Sequence, residues 1–281
     1  MTLFLNFREK RVSGGTLKTP QVFEGTPASG FKLMEAKRFA DMAAGRDILV
    51  ATHGYDNNWS DGTYALSRLE QSLLPNTVPA NTLYAAVLWP GDSYAWKLGY
   101  PSERRTAVTC GRNLAAFLNL SAKHAASLSF ASHSLGARVV LEAARHVTLP
   151  VRLMCLMAAA IENTCLYEEY ADVAARAETI AVLSSRSDNV LRWAFPAGNL
   201  VSAVLNPTAN PLSSALGYAG PRSPIGKSTR AYPIGKAFDY DHGDYLPSGA
   251  PGGVFPTPPG AWARPSLFIA NELRKAAQSW P

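Results

Sequence analysis

Leu128-Ser-Phe-Ala-Ser-His-Ser-Leu-Gly-Ala-Arg-Val-Val-Leu141 is the stretch on which the fold turns. Leu128 to Ala131 is a short apolar run of buried-strand type, and Ala137 to His146 carries apolar residues at helical spacing. Between them lies Ser132-His133-Ser134-Leu135-Gly136. Strand, sharp turn with a central Ser, then helix is the context of a nucleophile elbow. Such a turn strains its central residue, so the positions two before and two after must be small. Gly136 meets that demand, while Ser132 stands where Gly is usual. Ser134 is the hydroxyl this turn exposes, since the residue two after Ser132 is Ser134 and not Gly. An ordinary strand–helix turn whose Ser caps the helix is the competing reading.

Working outward, apolar runs of strand length alternate with helical patterns. Asp47–Thr52, Thr82–Trp89, Val151–Ala160 and Glu178–Ser184 read as strands. Helices are expected from Ser60 or Asp61 to Pro75, from Ser102 to Leu120, and from Asn163 to Ala177. This alternation predicts an α/β fold: a mainly parallel sheet with helices on both faces, and ligands at the C-terminal strand ends. At the N-terminus, alternation over residues 3–12 suggests an edge strand with Arg8 on the open face; a turn-rich connector runs to about residue 30. Phe31–Ala44 is expected to be helical. Residues 195–236 are interrupted by six prolines and read as an irregular excursion, a candidate lid or cap within a single domain spanning 1–281. A last strand is expected at Ala237–Asp241 and a closing helix at Ser266–Ser279.

A serine hydroxyl needs a base within hydrogen-bond reach and a third group to hold that base in its working tautomer. In a hydrolase of this topology the order is Ser, acid, His, each after a later strand. Of His53, His124, His133, His146 and His242, His242 alone lies beyond the elbow region and directly after an expected strand. His133 is excluded as the base, because neighbouring side chains at the turn point apart. Asp188, past the strand ending at Ser184, is the candidate acid, with Asp241 as a second candidate. An oxyanion hole needs two backbone N–H groups. Leu135, after the candidate nucleophile, supplies one; Tyr55, in the His53-Gly54-Tyr55 loop after the strand at 47–52, supplies the other. The His53 ring is expected to hydrogen-bond backbone and stiffen this loop. Gly54, His133, Trp89 and Tyr94 are the candidates for contacting substrate.

Val50-Ala-Thr-His-Gly-Tyr-Asp-Asn-Asn58, Leu88-Trp-Pro-Gly91 and Ala131-Ser-His-Ser-Leu-Gly136 together resemble the α/β-hydrolase superfamily. They are similar to a group of bacterial serine hydrolases with a His-Gly-Tyr-Asn-Asn loop, a Trp-Pro strand end and an Ala-His-Ser-Met-Gly elbow. The match covers about residues 47–150; Asp188 and His242 fit by order and context. Asp56, Leu135 and Ser132 depart from the pattern without removing a reactive group. The resemblance implies ester-type hydrolysis but fixes no substrate; chain order and context add the expectation that Ser134 attacks a small-molecule ester, with His242 as base and Asp188 orienting it, and without cofactor. Thioesterase or acyltransferase chemistry would use the same groups, and a binding or scaffold protein on the same fold is the non-enzymatic alternative.

Composition narrows the classes further. With 281 residues, 47% hydrophobic and 17% charged, the chain is long enough for a large core and has no disorder signature. The net charge of +6 is dispersed, without the basic stripe that nucleic acid requires. Cys110, Cys155 and Cys165 form no metal pattern, and Asp239-x-Asp241-x-Gly243-Asp244 lacks the spacing of a calcium loop, so no metal is expected. No leader pattern and no membrane-length apolar run is present, which points to a cytoplasmic protein.

Overall fold

The computed structural model describes residues 1–73, 78–92, 100–195, 213–247 and 261–280. Among the described residues nine strands form one sheet: β1 (Thr2–Arg8), β2 (Thr16–Thr26), β3 (Gly30–Met34), β4 (Asp47–Thr52), β5 (Thr82–Leu88), β6 (Ser127–His133), β7 (Val151–Met157), β8 (Thr179–Ser185) and β9 (Thr229–Ile234). Their order across the sheet is β3-β2-β1-β5-β4-β6-β7-β8-β9. From β1 to β9 every neighbouring pair is parallel, and β2 and β3 extend the sheet antiparallel. The helices are α1 (Ala36–Ala43), α2 (Trp59–Leu73), α3 (Tyr100–Ser121), α4 (Gly136–His146), α5 (Ala171–Arg176), α6 (Leu216–Ala219) and α7 (Ala263–Leu273).

The central strands read as continuous apolar runs because helices cover both faces, leaving no side to alternate toward water. Ile48, Val50, Ala85, Val87, Leu128, Phe130, Met154, Leu156, Ile180 and Val182 are all fully buried. Helix α4 is buried around most of its circumference, wedged between the sheet and α3, which explains its run of Ala and Val. Asn58 starts α2: its side-chain oxygen accepts from the Ser60 and Asp61 N–H groups at 2.8 and 3.1 Å.

Several expectations need correction. The N-terminal strand is not an edge: β1 lies between β2 and β5 with all seven residues buried, including Arg8. The connector to residue 30 is mostly strand. Pro20 sits in β2 without breaking it, because the β3 pairing begins at Val22 and the β1 register is irregular there. Phe31 to Met34 belongs to β3, which shortens the first helix to α1. Residues 163–170 are turns, so only the end of the expected helix is helical, as α5. Among the described residues the last strand is β9, inside the expected excursion, and 237–241 is not strand. Pro233 is tolerated because β9 is an edge strand, where a missing N–H breaks no ladder. Within 195–236, residues 196–212 lie outside the described residues.

Candidate active site

At the end of β6 the backbone of Ser134 has φ +54°, the left-handed conformation that L-residues avoid at a cost of about 1–2 kcal/mol. Its N–H donates to the Met157 carbonyl at 3.1 Å, and its carbonyl accepts from Ala160 at 3.1 Å. The turn is thus bolted to the end of β7, which holds the strained residue in place. Gly136 starts α4 against the β4 strand end, where a Cβ would stand 2.4 Å from the His53 carbonyl oxygen. Ser132, in place of the usual Gly, is fully buried with Oγ 3.5 Å from the Cys155 carbonyl. A hydroxymethyl therefore fits beside β7.

His242 begins a one-turn 3-10 segment, His242–Asp244, that places its ring over the elbow. Its Nε2 is 2.8 Å from Ser134 Oγ and its Nδ1 is 2.8 Å from Asp188 Oδ2. Asp188 is fully buried, and its other oxygen accepts from the Leu191 N–H at 2.8 Å. The three residues, separated by up to 108 positions, form one hydrogen-bonded row. Asp241, the second candidate acid, does not touch the ring; its carboxylate accepts from the backbone N–H groups of Asn189 and His242 at 2.9 and 2.8 Å. Although partial burial works the other way, those donors hold the Asp241 carboxyl below the ordinary range. It caps the turn that carries His242, reciprocally with Asp244.

Leu135 is the N-cap residue of α4, so its N–H is among the donors a helix start leaves without an intrahelical acceptor. Tyr55 follows Gly54 in the loop after β4, and Gly54 lies against the elbow, where a Cβ would meet Ser134 Cβ at 2.8 Å and His133 Nδ1 at 2.9 Å. Only a residue without a side chain lets that loop come so close. The loop is stiffened by His53, which is fully buried. Its Nδ1–H donates to the Gly54 carbonyl at 2.9 Å, and its Nε2 accepts from the Trp89 N–H at 3.3 Å. Trp89, expected to contact substrate, is instead completely buried; it stacks on His53 and its indole N–H donates to the His53 carbonyl at 3.0 Å. Its place after a strand end suggested a pocket wall, but the strand end itself is covered. Tyr94 lies outside the described residues.

Burial lowers the His53 pKa from 6.5 to about 4, against the opposing hydrogen bond to Gly54. The neutral ring is the form the fold selects, because a proton on Nε2 would face the Trp89 N–H. The unfolded chain therefore binds that proton more readily than the folded one. Stability is complete above pH 6.5 and falls as pH drops through the window down to about 4. The loss from this one ring is on the order of 3 kcal/mol. Urea midpoints at pH 7.5, 6 and 5 should decline in that order; equal midpoints would contradict a buried neutral His53.

Arg8 lies beside the site without a local signal in the sequence to mark it. Its guanidinium is fully buried and donates to the carbonyls of Lys10, Arg11, Asn57 and Trp89, with an ion pair to Asp92 at 2.5 Å. Asp92 in turn accepts from the Ser13 N–H. Arg8 thus ties the loop after β4 to the loop after β5. Its period-2 position suggested a solvent-facing side chain, and no local signal distinguishes it from one. His133 donates from Nε2–H to the His242 carbonyl at 2.8 Å.

The matching family model, described as "Alpha/beta hydrolase of unknown function (DUF900)", aligns with residues 34–215, well over half of the chain. The chain belongs to that family. The aligned span of this α/β-hydrolase holds Ser134 and Asp188, while His242 lies beyond it. No curated protein sequence matches the chain. Among solved structures it is similar to a dienelactone hydrolase-like promiscuous phosphotriesterase from metagenomic libraries, at 13% identity and a TM-score of 0.45, over 83% of this chain and 87% of that one. It is also similar to acetyl xylan esterase 1 from Thermoanaerobacterium sp., at 12% identity and TM-score 0.40, over 81% and 76%. An esterase of Thermogutta terrifontis gives 11% identity and TM-score 0.39, over 82% and 83%. Among the described residues no helix is long and apolar enough to cross a membrane, and no group of three or more His, Cys, Asp or Glu side chains is placed to hold a metal ion.

Proposed function

We propose that the chain is a serine hydrolase of carboxylic esters, working as one domain and without a cofactor. The observation that carries this reading is the row Ser134 Oγ, His242 Nε2 and Nδ1, Asp188 Oδ2, with both gaps at 2.8 Å. Asp188, as a buried carboxylate, accepts the Nδ1–H and so leaves the Nε2 lone pair facing the Ser134 hydroxyl. Ser134 Oγ bonds to the acyl carbon while its proton passes to Nε2, and the carbonyl electron pair moves onto oxygen. The amides of Tyr55 and Leu135 receive that oxyanion, each donor of this kind contributing about 10²–10³ in kcat. As the intermediate collapses, the acyl–alkoxy bond breaks and the alcohol leaves with the proton from His242. Water then repeats the sequence against the acyl-enzyme: His242 takes its proton, the hydroxyl oxygen bonds to the acyl carbon, and Ser134 leaves as a hydroxyl, releasing the acid.

A fluorophosphonate tests this without knowledge of the substrate, because it reports only on an activated nucleophile. Incubation with the folded protein, digestion and mass spectrometry should place one phosphonyl adduct on the peptide containing Ser134. No adduct on folded protein, or an adduct on another serine, would overturn the assignment.

A further inference from the structure

The turn that carries His242 is three residues long, too short to hold a ring in register by itself. From the β8 side it is fastened by Ser185 Oγ to the Tyr240 carbonyl at 2.7 Å and by the Asn189 N–H to Asp241 at 2.9 Å. From the β6 side, besides the Ser134 contact itself, it is held by His133, the residue immediately before Ser134 in the chain. We propose that His133 is a positioning residue for the reaction, its Nε2–H clamping the His242 main-chain carbonyl so that the His242 ring stays in line with Ser134.

Three features give this its physical content. First, His133 binds the backbone of residue 242 and not its imidazole, at 2.8 Å, so both ring nitrogens of His242 remain free for Ser134 and Asp188. Second, because His133 and Ser134 are adjacent on one rigid strand end, the clamp fixes His242 relative to Ser134 itself. A displacement of about 1 Å at such a relay is enough to cost about 100-fold in rate. Third, the ring of His133 packs with its centroid 4.8 Å from that of His242 and 6.0 Å from that of Tyr245, leaving it little room to turn. A cation there would oppose the imidazolium that His242 becomes in each turnover. Burial and the neighbouring His242 instead lower the His133 pKa to about 3, so the clamp is neutral at working pH and keeps its Nε2 proton.

This inference rests on the hydrolase reading for its effect on rate, but its geometry is testable without turnover. The carboxamide nitrogen of Gln reaches about where His Nε2 lies, and that of Asn about where Nδ1 lies. His133→Gln therefore keeps the donor to the His242 carbonyl, whereas His133→Asn keeps the polarity and loses the bond. In purified full-length protein, His133→Gln should be labelled by fluorophosphonate within about threefold of the wild-type rate. His133→Asn should be labelled about 100-fold more slowly. Hydrogen exchange read on the peptide covering residues 241–245 supplies the second measurement: at least about tenfold faster exchange in His133→Asn, and wild-type exchange in His133→Gln. Thermal midpoints of the two variants identify any general loss of folding. Equal labelling and equal exchange in the two variants would overturn the clamp. The exchange difference without labelling of even the wild type would sustain the clamp and overturn the hydrolase reading instead.

Discussion

Replacing Ser134 by Ala should lower kcat on an activated short-chain ester by about 10⁵–10⁶, with the protein still folded. The size follows from what is removed. On the proposed mechanism no acyl-enzyme forms without Oγ, and His242, Asp188 and the amides of Tyr55 and Leu135 are left around a methyl group. What remains is binding and oxyanion stabilisation, worth about 10³–10⁴ over water in comparable arrangements. Stability should hardly move. The strain at φ +54° is a property of the backbone and is the same for Ala, and the deleted hydrogen bond is worth about 1 kcal/mol. His242→Ala should cost about as much, and the double variant no more than either single one, because the two groups act as a unit. Initial rates with enzyme concentrations high enough to see the residual activity measure all three. An additive double variant would mean that serine and histidine serve different chemistry.

The parts of this architecture that were legible in the sequence are those whose signal is local. Strands β4 to β8 announce themselves because burial on both faces demands unbroken apolar runs, and β6 followed by α4 is readable because Ser134 and Gly136 must be what they are. Histidine scarcity did the rest, since chain order leaves His242 alone as a candidate base. Strands β2 and β9 escape because each contains a proline, at Pro20 and Pro233, which reads as interruption. Only the pairing pattern reveals that both prolines stand where the lost N–H is not needed. Phe238 and Tyr240 mimic a strand, yet they pack on Trp280 at the far end of the chain. Arg8 and His133 are illegible for a different reason. Their partners lie at Asn57, Trp89, Asp92 and His242, and nothing in the residues beside them in sequence carries that information.

Asp188→Asn should reduce kcat by about 10⁴ with KM little changed, and the surroundings of Asp188 dictate why. One carboxylate oxygen accepts from the Leu191 N–H at 2.8 Å, and the other faces His242 Nδ1 at 2.8 Å. An asparagine in this fully buried site must keep its carbonyl oxygen toward Leu191, because turning the amide would set NH₂ against N–H in a place water does not reach. Its NH₂ therefore points at His242 Nδ1, which has to become an acceptor. The ring then carries its proton on Nε2, aimed at Ser134 Oγ, and has lost the lone pair with which, on the proposed mechanism, it takes the serine proton. Geometry survives while the tautomer is reversed, so substrate binding stays and proton transfer fails. Raising the pH should restore little, since the proton on Nε2 belongs to the neutral tautomer that the asparagine selects. Asp188→Ala makes the contrast: it leaves the Leu191 N–H without an acceptor and the ring without an anchor, so it should lose stability by about 1–3 kcal/mol as well as rate. Paired kinetics and urea unfolding of the two variants decide the point. An Asp188→Asn enzyme within tenfold of wild type would show that the carboxylate does not set the tautomer of His242.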